Sequence, residues 1–119
     1  MELTNIAKTI TERILELRTA RNELKNRGET KAQTIAEYDK AMATTLVKLK
    51  NGVSFQVDNT TIANPPATIM DKIARGICWK EALEKERAEA GYKSLITAIN
   101  AIQSEINAYQ SINRHLDEY

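Results

Sequence analysis

Between Cys78 and Tyr119 the chain has no proline and one glycine, Gly91, and its apolar residues keep to a single flank. Tyr92, Leu95, Ile99, Ile102, Ile106, Tyr109 and Leu116 follow at alternating steps of three and four, with Asn113 at the one step that should be apolar. Such spacing lines one side of an α-helix. A helix from Trp79 to Leu116 is roughly 57 Å long at 1.5 Å per residue, whereas a compact globule of this chain length is about 35 Å across. The spacing therefore predicts a long, coiled-coil-like C-terminal helix over 78–117 within a single elongated domain, 1–119. Two coverings of its apolar seam are open: helices of the same chain, or the same helix of a second copy. Length favours the copy, which makes Leu95, Ile99, Ile102, Ile106, Tyr109 and Leu116 the expected oligomer interface.

Upstream, Leu3, Ile6, Ile10, Ile14, Leu17 and Leu24 recur at helical spacing as far as Gly28, a residue type that commonly ends helices. Ile35, Tyr38, Met42, Leu46 and Leu49 form a second such run, which stops at Asn51-Gly52. Two amphipathic helices joined by a short polar link predict an antiparallel helical hairpin over 1–50.

The period then changes to two. Val53, Phe55 and Val57 alternate with Ser54 and Gln56, as in a half-buried strand. Asp58-Asn59 can turn the chain, and Thr60-Thr61-Ile62 can return as a partner strand, which gives a small β-hairpin over 53–63. Asn64-Pro65-Pro66 ends it and opens a short helix over 65–76, closed by Gly76. The expected fold is thus mainly α: an N-terminal helical hairpin, a small β-hairpin, a short helix and the long C-terminal helix.

Composition narrows the function. Seventeen basic residues against sixteen acidic ones leave a net charge of +1, which provides no general attraction to nucleic acid or to acidic membranes. No apolar run approaches the roughly 18 to 20 residues of a membrane span, and the amino terminus lacks a secretory pattern, so the expected location is the cytoplasm. The lone His115 near the end of the chain suits a partly exposed helix-end residue rather than a general base. The lone Cys78 has no neighbouring base in the sequence to activate it and reads as a packing residue. The four glycines are dispersed and form no phosphate-binding loop. These features predict a non-enzyme with no cofactor and no metal site.

Two basic groupings are candidate contacts for a ligand or nucleic acid. Arg18, Arg21 and Lys25 share a stripe of the first helix, and Lys72, Arg75 and Lys80 surround Gly76 and Trp79. Cations beside an exposed tryptophan can grip phosphate and stack on a base, although a tryptophan at a helix start is more often a core plug.

The order IMDKIARG at Ile69 to Gly76, the acid-rich stretch with Glu84, Glu86 and Glu89, then Tyr92-Lys93, Ile102-Gln103-Ser104-Glu105 and Gln110-Ser111-Ile112 resembles small uncharacterised helical proteins of phages and prophages of Gram-positive bacteria. The likeness covers about residues 65–115, and the hairpin at Val53 to Ala63 is longer than the usual linker of that group. It implies a phage origin, often near recombination genes, with the host cytoplasm as location, and no established activity or site residues. In that setting a non-catalytic, homo-oligomeric binding protein is expected. It would act by stoichiometric protein contact, as an inhibitor of a host defence protein or as a sponge for a nucleotide signal. The alternatives are a recombination accessory contacting single-stranded DNA or its binding protein, and a structural assembly component.

Overall fold

A computed structural model describes residues 2–117. The elements run α1 (Leu3–Lys50), β1 (Phe55–Val57), β2 (Thr60–Ile62), a 3-10 turn (Ala67–Ile69), α2 (Met70–Ile77) and α3 (Trp79–Asp117). The chain is mainly α with a long C-terminal helix and one small antiparallel hairpin. None of the described helices is long and apolar enough to cross a membrane.

The predicted N-terminal helical hairpin is not formed: its two helices are one continuous α1 of 48 residues, with Gly28 in its interior. The reason lies in the residue after each glycine. A glycine stop is completed when the next residue donates its amide back to the last turn and lays an apolar side chain on it. Gly52 has such a successor. It takes a left-handed φ of 79°, donates to the Leu49 carbonyl at 3.1 Å, and precedes Val53, which donates to the Lys48 carbonyl at 3.0 Å. Gly28 instead precedes the charged Glu29, and the first proline is Pro65. With no cap on offer, interior glycine costs only about 1 kcal/mol, and the helix continues through it.

Val53 is thus part of the helix cap, and the strand starts at Phe55. Phe55 pairs with Ile62, Gln56 with Thr61 and Val57 with Thr60 around the Asp58-Asn59 turn. Asp58 takes the positive φ, 52°, that this turn requires. The period-two reading sets the faces: Phe55, Val57 and Ile62 are half-buried, while Gln56 Nε2 donates to Thr61 Oγ1 at 2.7 Å on the exposed face.

After Pro65-Pro66 the chain enters through the 3-10 turn, where the Ile69 amide donates to the Pro66 carbonyl at 3.1 Å. Gly76 does not close α2 as expected, because it keeps a right-handed conformation and lies one residue inside the helix end. The break is at Cys78, whose ψ of 27° departs from helical geometry. Each helix keeps its terminal hydrogen bond at this residue, the Cys78 amide donating to the Ala74 carbonyl at 2.9 Å to end α2 and the Ala82 amide to the Cys78 carbonyl at 3.0 Å to begin α3. The burial pattern nevertheless continues across the break, from Ile73, Ala74 and Ile77 to Cys78, Glu81, Ala82 and Lys85.

The chain divides into two compact units, Met1–Glu29 with Ala90–Tyr119 and Thr30–Glu89. In the first, α1 and α3 are antiparallel. Arg13 Nε donates to Glu105 Oε1 and Arg27 Nη1 to the Gly91 carbonyl, each at 2.9 Å. Ile6, Leu17, Leu95 and Ile106 are its buried apolar residues. In the second, the Lys85 ammonium lies 4.3 Å from the centre of the Tyr38 ring. Leu49, Ala74 and Cys78 are buried there together with Thr45, whose hydroxyl meets the Cys78 sulfur at 3.3 Å.

Candidate functional site

Because the burial pattern continues across Cys78, the segment from the 3-10 turn through α2 to the start of α3 presents two long sides. Ala74 and Cys78 are buried, and Ile73, Ile77, Ala82 and Lys85 are half-buried, which defines the inner side. Ile69, Lys72, Gly76, Trp79 and Leu83 follow at steps of three and four on the other side, and Ile69, Trp79 and Leu83 keep large apolar surfaces open. Trp79 is 53% exposed. It is not a core plug. The inner positions at this joint are filled by the small Ala74 and Cys78, so the large ring at the adjoining phase has no cavity to enter.

Gly76 leaves a depression in this stripe. An added Cβ there would meet no atom within 4 Å, so a partner could approach the backbone between Lys72 and Trp79. Cations border it. Lys80 Nζ stands 5.6 Å from the Trp79 ring centroid, and among the described residues none of Lys72, Arg75 and Lys80 is paired with a carboxylate. The structure thus brings together the expected grouping of Lys72, Arg75, Trp79 and Lys80, and adds Ile69 and Leu83. Sequence reasoning missed Leu83 because it ended the helical phase at Gly76, and Ile69 because only charged and aromatic residues were grouped there. Carrying the three-four step back from Lys72 and on across Cys78 would have found both.

The other expected sites are distributed differently. Arg18, Arg21 and Lys25 lie exposed along α1 without an aromatic residue in their stripe. Within the expected oligomer seam, Leu95 and Ile106 are buried, Ile99, Ile102 and Tyr109 half-buried, and Leu116 exposed. The N-terminal part of α1 covers much of this seam, so Leu95 and Ile106 belong to the chain's own core. His115 is exposed on the last turn of α3, and Cys78 is only 3% exposed. On the inner side of the second unit an open recess of about 470 Å³ is lined by Lys40, Lys48, Glu37, Glu81 and Glu84 among others. Its lining carries charges of both signs, and none of the buried side-chain polar atoms described lacks a partner.

No known protein family, curated protein or solved structure matches this chain.

Proposed function

We propose that this chain is a non-catalytic binding protein that works by stoichiometric contact with an acidic protein surface, using the stripe from Ile69 to Leu83 with Trp79 as its anchor. The observation that carries this reading is the exposure of Trp79 beside the side-chain-free Gly76. Burying an indole at an interface is among the largest single gains a contact can make, and tryptophan and arginine are enriched in such hot spots. Unpaired Lys72, Arg75 and Lys80 favour a partner that supplies carboxylates around an apolar pocket. The resemblance to phage and prophage proteins over 65–115 makes a host protein the expected partner, and blocking a defence protein is one form this binding would take.

A second reading, contact with single-stranded nucleic acid or a nucleotide, draws on the same cations and the same ring. It is less favoured because Lys80 already stands near the indole and the net charge of +1 gives weak steering.

The test is affinity capture from a Gram-positive host lysate with the wild-type chain and with Trp79→Ala. Each retained protein is then identified and its stoichiometry measured with the purified pair. A fixed-ratio complex that the wild type forms and Trp79→Ala loses, at unchanged helicity, supports the proposal. Retention by Trp79→Ala, or salt-sensitive retention of single-stranded DNA with no protein partner, overturns it.

A further inference from the structure

Nothing in the chain's own fold calls for a glycine at position 76. Gly76 is exposed and keeps a right-handed conformation, which any residue adopts. It caps nothing, because α2 runs past it to Ile77 and breaks at Cys78. Nor does it clear room for a neighbour, since an added Cβ meets no atom within 4 Å. Alanine forms helix far better than glycine, so local stability alone favours a side chain here. The other helix glycines differ. At Gly28 a Cβ would touch Tyr92, and Gly91, though equally open, has no exposed large apolar residue within a turn of it among the described residues.

The missing side chain leaves a notch between Lys72 and Trp79. Exposed Ile69 and Leu83 lie seven residues to either side of Gly76, so the notch is the centre of the apolar stripe. A hole of this kind, floored by backbone and walled by an indole, receives one protruding side chain, and anchors seated in such holes supply much of the energy of a contact. The surroundings select what stands beside that anchor. Lys72, Arg75 and Lys80 are unpaired with carboxylates among the described residues, so acidic neighbours gain ion pairs there. A second copy of this stripe brings the same cations and is repelled.

We infer that Gly76 is the specificity-determining residue of this surface, admitting one bulky apolar side chain from a partner segment that carries Asp or Glu on either side of it. The inference rests on the binding role proposed for the stripe, and adds which residue selects the partner and by what property. Selection is by size at the notch and by charge at its border.

The test is selection from a displayed library of random dodecapeptides on the immobilised full chain, as wild type, Trp79→Ala, Gly76→Ala, Gly76→Leu and Gly91→Ala, each with its circular dichroism. Wild type and Gly91→Ala are expected to enrich one pattern, a large apolar residue flanked by acidic ones. Both Gly76 variants should keep their helicity and bind the best wild-type peptide at least about tenfold more weakly, as overfilling a packed contact does. Selected afresh, Gly76→Leu should enrich a small residue in place of the large one, an exchange of size that general damage to the fold would not produce. Should Gly76→Leu lose helicity, Gly76→Ala decides by the affinity criterion. No enrichment on the wild type, equal binding by the Gly76 variants, or an unchanged pattern on Gly76→Leu overturns the inference. If Trp79→Ala still abolishes binding in those last two cases, the stripe stands as the contact surface and only the role of Gly76 falls. Enrichment that Trp79→Ala leaves intact overturns the stripe and the inference together.

Discussion

Arg13 Nε donates to Glu105 Oε1 at 2.9 Å and Arg13 Nη1 to Glu16 Oε1 at 2.8 Å, so one guanidinium ties α1 to α3 and also braces its own helix. The hydrogen bond to Glu105, then the charges of Glu105 and Glu16, hold Arg13 above its ordinary pKa. For a cation held above its ordinary value, the stabilisation is complete below that value and is lost only as pH rises through the raised one. Across the neutral range the Arg13 contribution is therefore constant. We predict that Arg13→Ala and Glu105→Ala each lower the unfolding midpoint modestly and that the double variant loses less than the two losses added. The deficit should shrink at about 1 M salt, where screening acts within about 3 Å. Additive losses would show that the pair is not coupled.

Glycine substitutions separate a cap from an interior position. An added Cβ at Gly28 would lie 3.5 Å from Tyr92 Cε2, an ordinary contact, whereas Gly52 combines a φ of 79° with Asn64 Oδ1 at 3.4 Å. Gly28→Ala is predicted to stabilise the protein by about 0.5–1 kcal/mol, the helix-interior difference between the two residues. Gly52→Ala is predicted to destabilise by about 1–2 kcal/mol, because a side chain in the left-handed region costs that much. Urea unfolding of both variants against wild type measures the pair. Destabilisation by Gly28→Ala would mean that the helix is broken there.

Much of this architecture is legible in the residues, and the departures from expectation fall at two glycines and at contacts between distant residues. The change to a period of two after Asn51-Gly52, the Asp58-Asn59 turn and the long C-terminal helix come from local patterns that no distant contact contradicts, although the strand itself starts at Phe55 and not at Val53. Gly28 and Gly76 mislead because a glycine alone does not stop a helix. The difference between Glu29 and Val53 as the next residue carries that information at Gly28 and Gly52, and it is local. No local pattern contains which helix covers which. Arg13 and Glu105 are 92 residues apart, and each taken alone reads as a surface charge. The exposed phase of Trp79 becomes visible only with the small Ala74 and Cys78 placed inside.

Cys78 offers a test of core integrity. It is 3% exposed, and its sulfur lies 3.3 Å from Thr45 Oγ1, itself buried. A thiol reacts as an exposed thiolate, so in the native protein modification must wait for local opening. We predict that a chromogenic disulfide reagent titrates Cys78 at least about tenfold more slowly in buffer than in strong denaturant. Thr45→Val should narrow that gap by removing the sulfur's polar contact. Equal rates in the two solvents would show that the second unit does not close over Cys78.

Trp79 is the only tryptophan in the chain, so its fluorescence reports on the proposed binding surface without labelling. An indole that is 53% exposed and bordered by Lys80 should emit at long wavelength in the folded state. It should be quenched readily by acrylamide, and more strongly by iodide than by caesium because the neighbouring cations attract the anion. Unfolding should shift its emission only slightly, in contrast to a core tryptophan. Adding the captured partner should move the emission to shorter wavelength and protect it from acrylamide, because an anchor residue is desolvated in its pocket. Lys80→Glu, which reverses the charge beside the ring, should narrow the difference between iodide and caesium and weaken the partner while leaving the free protein folded. A short-wavelength emission already present in the free chain would place Trp79 in a buried setting and remove the stripe as the binding surface.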